Sequence, residues 1–212
     1  MTRRLPAEQR RAQLLQAALQ IAEHNGLGAV TVRGVAERAG VSLGVVHYCY
    51  TDKEELLSEV INAVNAEVHQ AAAAFLNVDF GSGEQGPEGL RRRLYDAIDL
   101  IWAVISASPD RQLLTYEIIT YSLRTHGVPE VGLARDQQDS NEDIVRIVLE
   151  RTAESAGMRW TSGLDAMVKL VMCLVEGIGL RWQIYRDDHD ATALLHHGVD
   201  LVVAGAVPAD GG

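Results

Sequence analysis

The sequence predicts an all-α protein of about nine helices, with an N-terminal three-helix helix-turn-helix domain and a C-terminal helical domain. Three observations predict it. Residues 31 to 53, TVRGVAERAGVSLGVVHYCYTDK, read as two short helices joined by a tight AGVS turn, with a third helix following at once. In the rest of the chain apolar residues recur at helical spacing over long stretches, broken by short polar, Gly- or Pro-containing segments, and no run alternates as a strand would. Composition agrees: 47% of residues are hydrophobic and only five of 212 are proline, which suits a globular, mainly helical chain. This length buries one substantial core or holds one small and one medium domain.

The elements follow in order. A lead-in helix is carried by RRAQLLQAALQIAEHNG from about Arg10. Thr31, after the loop NGLGAV, can cap the next helix with its side-chain oxygen. Val32, Val35, Ala36 and Ala39 then form a stripe that buries that helix against a neighbour. Gly40 ends it where a left-handed residue is needed, and Ser42 can cap a second helix running through Tyr48. In such motifs the second helix enters the major groove N-terminus first. Ser42, Leu43, Gly44, Val45, His47 and Tyr48 are therefore the candidate groove-facing residues, with Val46 pointing inward. Gly44 lets backbone approach a duplex closely, although it weakens the helix by up to about 1 kcal/mol relative to Ala.

Thr51 or Asp52 can cap a third helix whose first turn holds Glu54 and Glu55, where carboxylates favour the dipole. Lys53 opposes that dipole and makes more sense if a phosphate lies close, so it joins Thr31 and Arg33 as a phosphate-facing candidate. This helix is expected to run from about 52 to 76, ending at the glycine-rich loop Asn77 to Gly89, NVDFGSGEQGPEG. The expected division is a DNA-binding domain at 1–53 and a second domain at 54–212, with this helix as the mechanical link. Further helices are expected at about Leu90 to Ala107, Asp110 to Thr125, Gly132 to Ala156, Ser162 to Tyr185 and Ala191 to Val207, with breaks at SPD, HGVPE, GMRW and RDDHD.

The helix from Ser162 to Tyr185 is apolar almost all round, which argues for burial on both sides. One face carries Met172, Glu176 and Gly179. The opposite face carries Val171, Leu174, Ile178, Arg181 and Tyr185, so that one side can close the domain core and the other can pack against a second chain. The last helix has a similar stripe in Leu194, Leu195, Gly198, Leu201, Val202 and Gly205, whose glycines allow close approach. For a ligand, LLTYEIITYSL places Tyr116 with Thr120 and Glu117 with Tyr121 at i and i+4. With Trp102, Met172 and Glu176 these residues would line an apolar pocket bearing a few polar groups. Ionised Glu117 or Glu176 beside the aromatic rings would suit a cationic ligand; the alternative is amphipathic helices with tyrosines at the core edge.

Other features exclude functions. Cys49 and Cys173 are the only cysteines and form no CxxC pair, so a disulfide framework or structural zinc site is not expected. His196 and His197 point about 100° apart on a helix and do not share a metal ion, while His189 sits in an acidic turn. Arg91, Arg92 and Arg93 read as a solvated, acid-paired face. No Gly-rich phosphate loop, nucleophile elbow or catalytic His or Cys constellation occurs, so no catalytic, metal or cofactor site is assigned. MTRRLPAEQRR lacks an apolar signal core, and no run reaches the roughly 18 apolar residues of a membrane span, so a cytoplasmic protein without a membrane partner is expected. The net charge of -10 is uneven: residues 1–53 hold seven Lys and Arg against four acids, and the remainder 12 against 25. A basic head on an acidic body would meet DNA in one orientation.

Across Arg10 to Leu57 the combination of the lead-in helix, AERAGVSLG, the aromatic-rich HYCY and DKEELL resembles the TetR family of bacterial transcriptional regulators. The rest of the chain matches that family only in length and helical character. Three positions depart from the family pattern: Gly34 replaces a polar or acidic residue, His47 the usual tyrosine and Tyr50 the usual phenylalanine. The resemblance implies a homodimer in which the last two helices pair with their copies. The corresponding residues are Val171, Leu174, Ile178, Arg181, Tyr185, Leu194, Gly198, Leu201 and Gly205. It also implies a repressor that binds a palindromic double-stranded operator and is released by a small-molecule effector of unknown identity. The alternatives are an activator of the same family or a helical adaptor that no longer binds DNA, against which Thr31, Arg33, Tyr48 and Lys53 argue.

Overall fold

The computed structural model describes residues 6–78, 83–126 and 132–209. In chain order these form α1 (Ala7–Asn25), a 3₁₀ turn (Leu27–Ala29), α2 (Val32–Ala39), α3 (Leu43–Cys49), α4 (Lys53–Leu76), α5 (Gly86–Ala107), α6 (Pro109–His126), α7 (Gly132–Ser155), β1 (Met158–Trp160), α8 (Leu164–Tyr185), α9 (Asp188–Val203) and β2 (Ala206–Pro208). Among the described residues no helix is long and apolar enough to cross a membrane.

The chain divides into two compact units, Met1–Ala66 with Asp110–Gln137, and Glu67–Pro109 with Gln138–Gly212. The division therefore falls inside α4 and inside α7 rather than near residue 53, and α6 belongs with the N-terminal helices. The cause is apolar. Leu114 and Ile118, one turn apart on α6, are buried in the same core as Leu14 and Ala18 of α1, Leu27 and Val30 of the following loop, Val35 of α2, Val46 of α3 and Leu56, Leu57 and Val60 of α4.

In the second unit α5 and α8 both pack on α9. One core cluster joins Leu90 and Leu94 of α5 to Leu149, Met167, Val168, Val199 and Val202. A second surrounds Trp102 of α5 and Trp182 of α8, whose rings meet edge to face with centroids 5.3 Å apart, together with Ile105, Ala191 and Leu195.

GMRW, expected as a simple break, contains β1, which pairs antiparallel with β2 in the register Met158↔Pro208, Arg159↔Val207 and Trp160↔Ala206. Thr161 adds backbone and hydroxyl hydrogen bonds to the Gly205 carbonyl at 3.0 and 2.8 Å. The last helix consequently ends at Val203 instead of Val207, and it starts at Asp188 because Asp187 caps it, its Oδ1 accepting from the Asp190 N–H at 2.9 Å. α5 likewise starts at Gly86, with Pro87 in its first turn, which shortens the expected 77–89 loop. Of the three adjacent arginines, Arg91 pairs with Glu88 and Asp200 and Arg92 with Glu84, whereas Arg93 is buried and donates to the Glu84 carbonyl.

Candidate nucleic-acid interface

Local chemistry builds the α2–turn–α3 unit. Thr31 is extended, and its Oγ1 accepts the Gly34 N–H at 3.0 Å, which starts α2. Gly40 is left-handed, at φ 66° and ψ 34°, and the Val41 N–H reaches back to the Ala36 carbonyl at 3.0 Å, so α2 stops and the chain turns. Ser42 occupies the N-cap position of α3, but its hydroxyl makes no capping bond, contrary to the sequence expectation. On α3, Ser42, Leu43, Gly44, His47 and Tyr48 are exposed, Val45 is half-buried, and Val46 and Cys49 are buried with Tyr50 just beyond. Tyr48 is 80% exposed. The outward surface thus offers a hydroxyl, an imidazole, a phenol, one leucine and a side-chain-free backbone stretch at Gly44. Those are groups that hydrogen-bond or touch base edges and phosphates.

Thr31 and Arg33 are also exposed, and the Arg33 Nε donates to Glu37 at 3.0 Å across one turn of α2. Lys53 is half-buried, its Nζ 5.6 Å from the centre of the Tyr121 ring of α6. An aromatic face therefore offsets the cation that opposes the α4 dipole. Asp52 caps α4, accepting the Glu55 N–H at 2.8 Å.

A network that the sequence reading missed holds α3 from behind. The Arg11 Nη1 of α1 donates to the Cys49 carbonyl at the end of α3, at 2.7 Å. Its other nitrogens donate to Glu55 and Glu59 of α4, and its guanidinium lies over the Tyr50 ring at 4.5 Å. Tyr50 donates its hydroxyl proton to Glu59 at 2.7 Å. Hydrogen bonds to Glu59 and then Glu55 raise the Arg11 pKa, while burial and then Glu59 raise that of the Tyr50 phenol. The Thr51 N–H, and after it Arg11, lower the Glu55 carboxyl to about 2. The i, i+4 spacing of Glu55 and Glu59 was visible in the sequence, but a partner 48 residues earlier was not.

The ligand candidates divide between the units. Tyr116, Glu117, Thr120 and Tyr121 belong to the first, where Tyr121 packs on the core and the Glu117 Oε2 accepts the Leu27 N–H at 3.0 Å. The Thr120 hydroxyl donates to the Tyr116 and Glu117 carbonyls, and the Tyr116 hydroxyl accepts from Gln112. Trp102, Met172 and Glu176 belong to the second unit, where Trp102 and Met172 are buried, Glu176 is half-buried, and the Trp102 Nε1 has no hydrogen-bond partner among the described residues. Neither unit by itself brings the seven together.

The candidate dimer residues also separate. Val171 and Leu174 pack on one core cluster and Ile178 on the other, while Gly198 is buried opposite Leu174, whose Cδ1 would lie 3.7 Å from a Cβ there. All four pack within the chain, Leu174 and Gly198 where α8 meets α9. Leu194 is half-buried, and Gly205 lies in the turn after α9, not on a helix face. Arg181, Tyr185 and Leu201 are exposed. Beside Arg181 and Tyr185, α8 exposes a stripe of Ala166, Leu170, Cys173, Gly177, Leu180 and Ile184, with Ile184 71% exposed. Its alternating four- and three-residue spacing is that of a helix-pairing seam.

The family model for bacterial regulatory proteins of the tetR family matches residues 14–60, which span α1 from Leu14 to the first turns of α4. The HTH-type nicotine-responsive transcriptional repressor HdnoR of Paenarthrobacter nicotinovorans is 30% identical over 184 residues, or 84% of this chain and 86% of its own. The HTH-type transcriptional regulator BetI of Paraburkholderia phytofirmans is 38% identical over 208 residues, covering 93% and 95%. A solved transcriptional regulator of Rhodococcus sp. Rha1 shares the fold at a TM-score of 0.69 and 20% identity, over 93% of this chain and 99% of its own. The chain belongs to the TetR family of bacterial regulatory proteins and is a transcriptional regulator of that type.

Proposed function

We propose that the protein is a homodimeric repressor that occupies a palindromic operator until a small-molecule effector releases it. The observation that carries the reading is the exposed face of α3, where Ser42, Leu43, Gly44, His47 and Tyr48 point outward on a helix held by buried Val46 and Cys49. Thr31, Arg33 and Lys53 are its phosphate-facing candidates. A two-fold dimer would present two such helices to half-sites about 34 to 36 Å apart or at multiples of that spacing. The exposed apolar seam of α8, with Leu201 of α9, supports pairing of two copies through these helices.

For the effector, Trp102, Met172 and Glu176 offer aromatic, apolar and anionic groups in one unit, which suits a small organic cation. Glu117 belongs to the other unit, so Glu176, which shares a unit with Trp102 and Met172, supplies the charge in this reading. One relative is described as nicotine-responsive. α4 contributes residues to both units, and an effector that shifts it would change the presentation of the heads, weakening operator binding by a coupling of about 1 to 3 kcal/mol.

The test is binding of the purified protein to the intergenic DNA beside its own coding sequence, across a salt series, with the Arg33→Ala/Tyr48→Ala protein as control. Tight, salt-dependent binding lost in the double variant is expected. Equal binding by both proteins contradicts the assignment of this face. With an operator in hand, a series of small organic cations is screened for release. Glu176→Gln that responds to an active cation as the wild type does would contradict the effector reading.

A further inference from the structure

The N-terminal helices are fastened by α6 at three places. At the end of α1, Arg111 donates to Glu23 through Nε and Nη2 at 3.2 and 3.1 Å. In the loop before α2, Glu117 accepts the Leu27 N–H. At the start of α4, Tyr121 lies under Lys53. These points bracket α2 and α3 in the chain.

The middle contact is the most specific. Leu27 opens the 3₁₀ turn, and Gly26, its N-cap, has no side chain to satisfy the turn's first N–H. Leu27 is buried, so that N–H has little access to water and would be left unpaired without Glu117. Gly26 has φ 82°, and a Cβ there would stand 2.8 Å from the Glu117 Oε2. The carboxylate thus occupies the space that a side chain at position 26 would fill. The loop it holds leads directly to Thr31, whose cap fixes where α2 begins.

We infer that Glu117 is a positioning residue for DNA reading, setting the 26–31 loop and through it the placement of Thr31, Arg33 and the α2–turn–α3 unit. The inference rests on α2–α3 being the DNA-reading surface. Loss of the carboxylate frees the loop without removing any phosphate contact, so affinity falls while its salt dependence does not change.

The experiment selects a duplex for the wild type from a random-sequence pool about three helical turns long. It then compares wild type, Glu117→Ala, Glu117→Asp and Glu117→Gln for affinity across salt, and for amide exchange at Leu27 to Val30 without DNA. Glu117→Ala is expected to bind about tenfold more weakly with an unchanged salt slope and faster exchange at Leu27, whereas Glu117→Gln, which keeps a carbonyl acceptor, stays within about threefold. Glu117→Asp retains the charge but withdraws the oxygen, and it should fall between them. It also serves as the test if the alanine variant does not fold. Wild-type affinity in folded Glu117→Ala or Glu117→Asp overturns the inference, and so does an affinity loss with Leu27 exchange unchanged. A wild type that enriches no duplex overturns the DNA reading itself, an outcome read separately from the exchange arm.

Discussion

Neighbouring side chains on α3 have opposite jobs. Tyr48 is almost wholly in solvent, so Tyr48→Ala should leave unfolding free energy within about 0.5 kcal/mol of wild type while weakening DNA binding. Val46 is fully buried, and Val46→Ala should cost about 2 kcal/mol in a denaturant titration. The reverse pattern would mean that the helix is rotated from the face described. Helical spacing alone made this inward and outward division legible. It did not show that the Ser42 hydroxyl makes no cap bond, nor that Arg11 closes the far end of α3, because both depend on where other chain segments lie. The Arg11 network also carries a pH signature. Glu55 is held at about 2 in the folded protein, below the ordinary 4.5, so its favourable interactions are complete above about pH 4.5 and are lost as pH falls toward 2. The melting temperature of wild type should therefore exceed that of Glu55→Gln at neutral pH, with the gap closing through that window. A gap that stays constant to pH 2 would show that the charge of Glu55 contributes nothing.

Among the elements, α8 illustrates why a wheel drawn from sequence can miss the phase. A helix apolar on nearly every side has no strong direction of its own, and its outward face is decided by which neighbour covers the rest. Val171, Leu174 and Ile178 are expected to face a second chain, yet they are half-buried against the chain's own clusters, and of that face only Arg181 and Tyr185 are exposed, next to the open seam of Leu170, Cys173, Gly177, Leu180 and Ile184. Substitution distinguishes the two faces. In the proposed dimer, wild type should sediment as two copies, and Leu180→Glu/Ile184→Glu should keep its helical circular dichroism but sediment as a monomer. Leu174→Glu should lower the melting temperature instead, because it places a charge against Gly198 and the core. A double variant that sediments as wild type would remove this seam from the interface. The β1–β2 pair was illegible for a different reason, since three residues are too few to display an alternating pattern.

At the scale of the whole chain, the number and order of helices among the described residues and most breaks could be read from periodicity, caps and turn residues, while most of the expected break HGVPE lies outside the described residues. The membership of α6 in the first unit could not, because Leu114 and Ile118 look like any apolar stripe until their partners near the N-terminus are known. Charge is distributed at this scale too. The first 53 residues are net basic and the remainder strongly acidic, so association with DNA should slow steeply as salt rises. Stopped-flow mixing with operator DNA would measure this, and a salt-independent association rate would rule out steering. In the proposed assembly two copies of the exposed α3 face read DNA together. Hydroxyl-radical footprinting of the wild type on its selected duplex decides this. Two protected patches related by two-fold symmetry are expected, their centres one helical turn or a whole multiple of it apart, both lost with Tyr48→Ala/Arg33→Ala. A single unpaired patch, or a footprint that survives the double substitution, would contradict it.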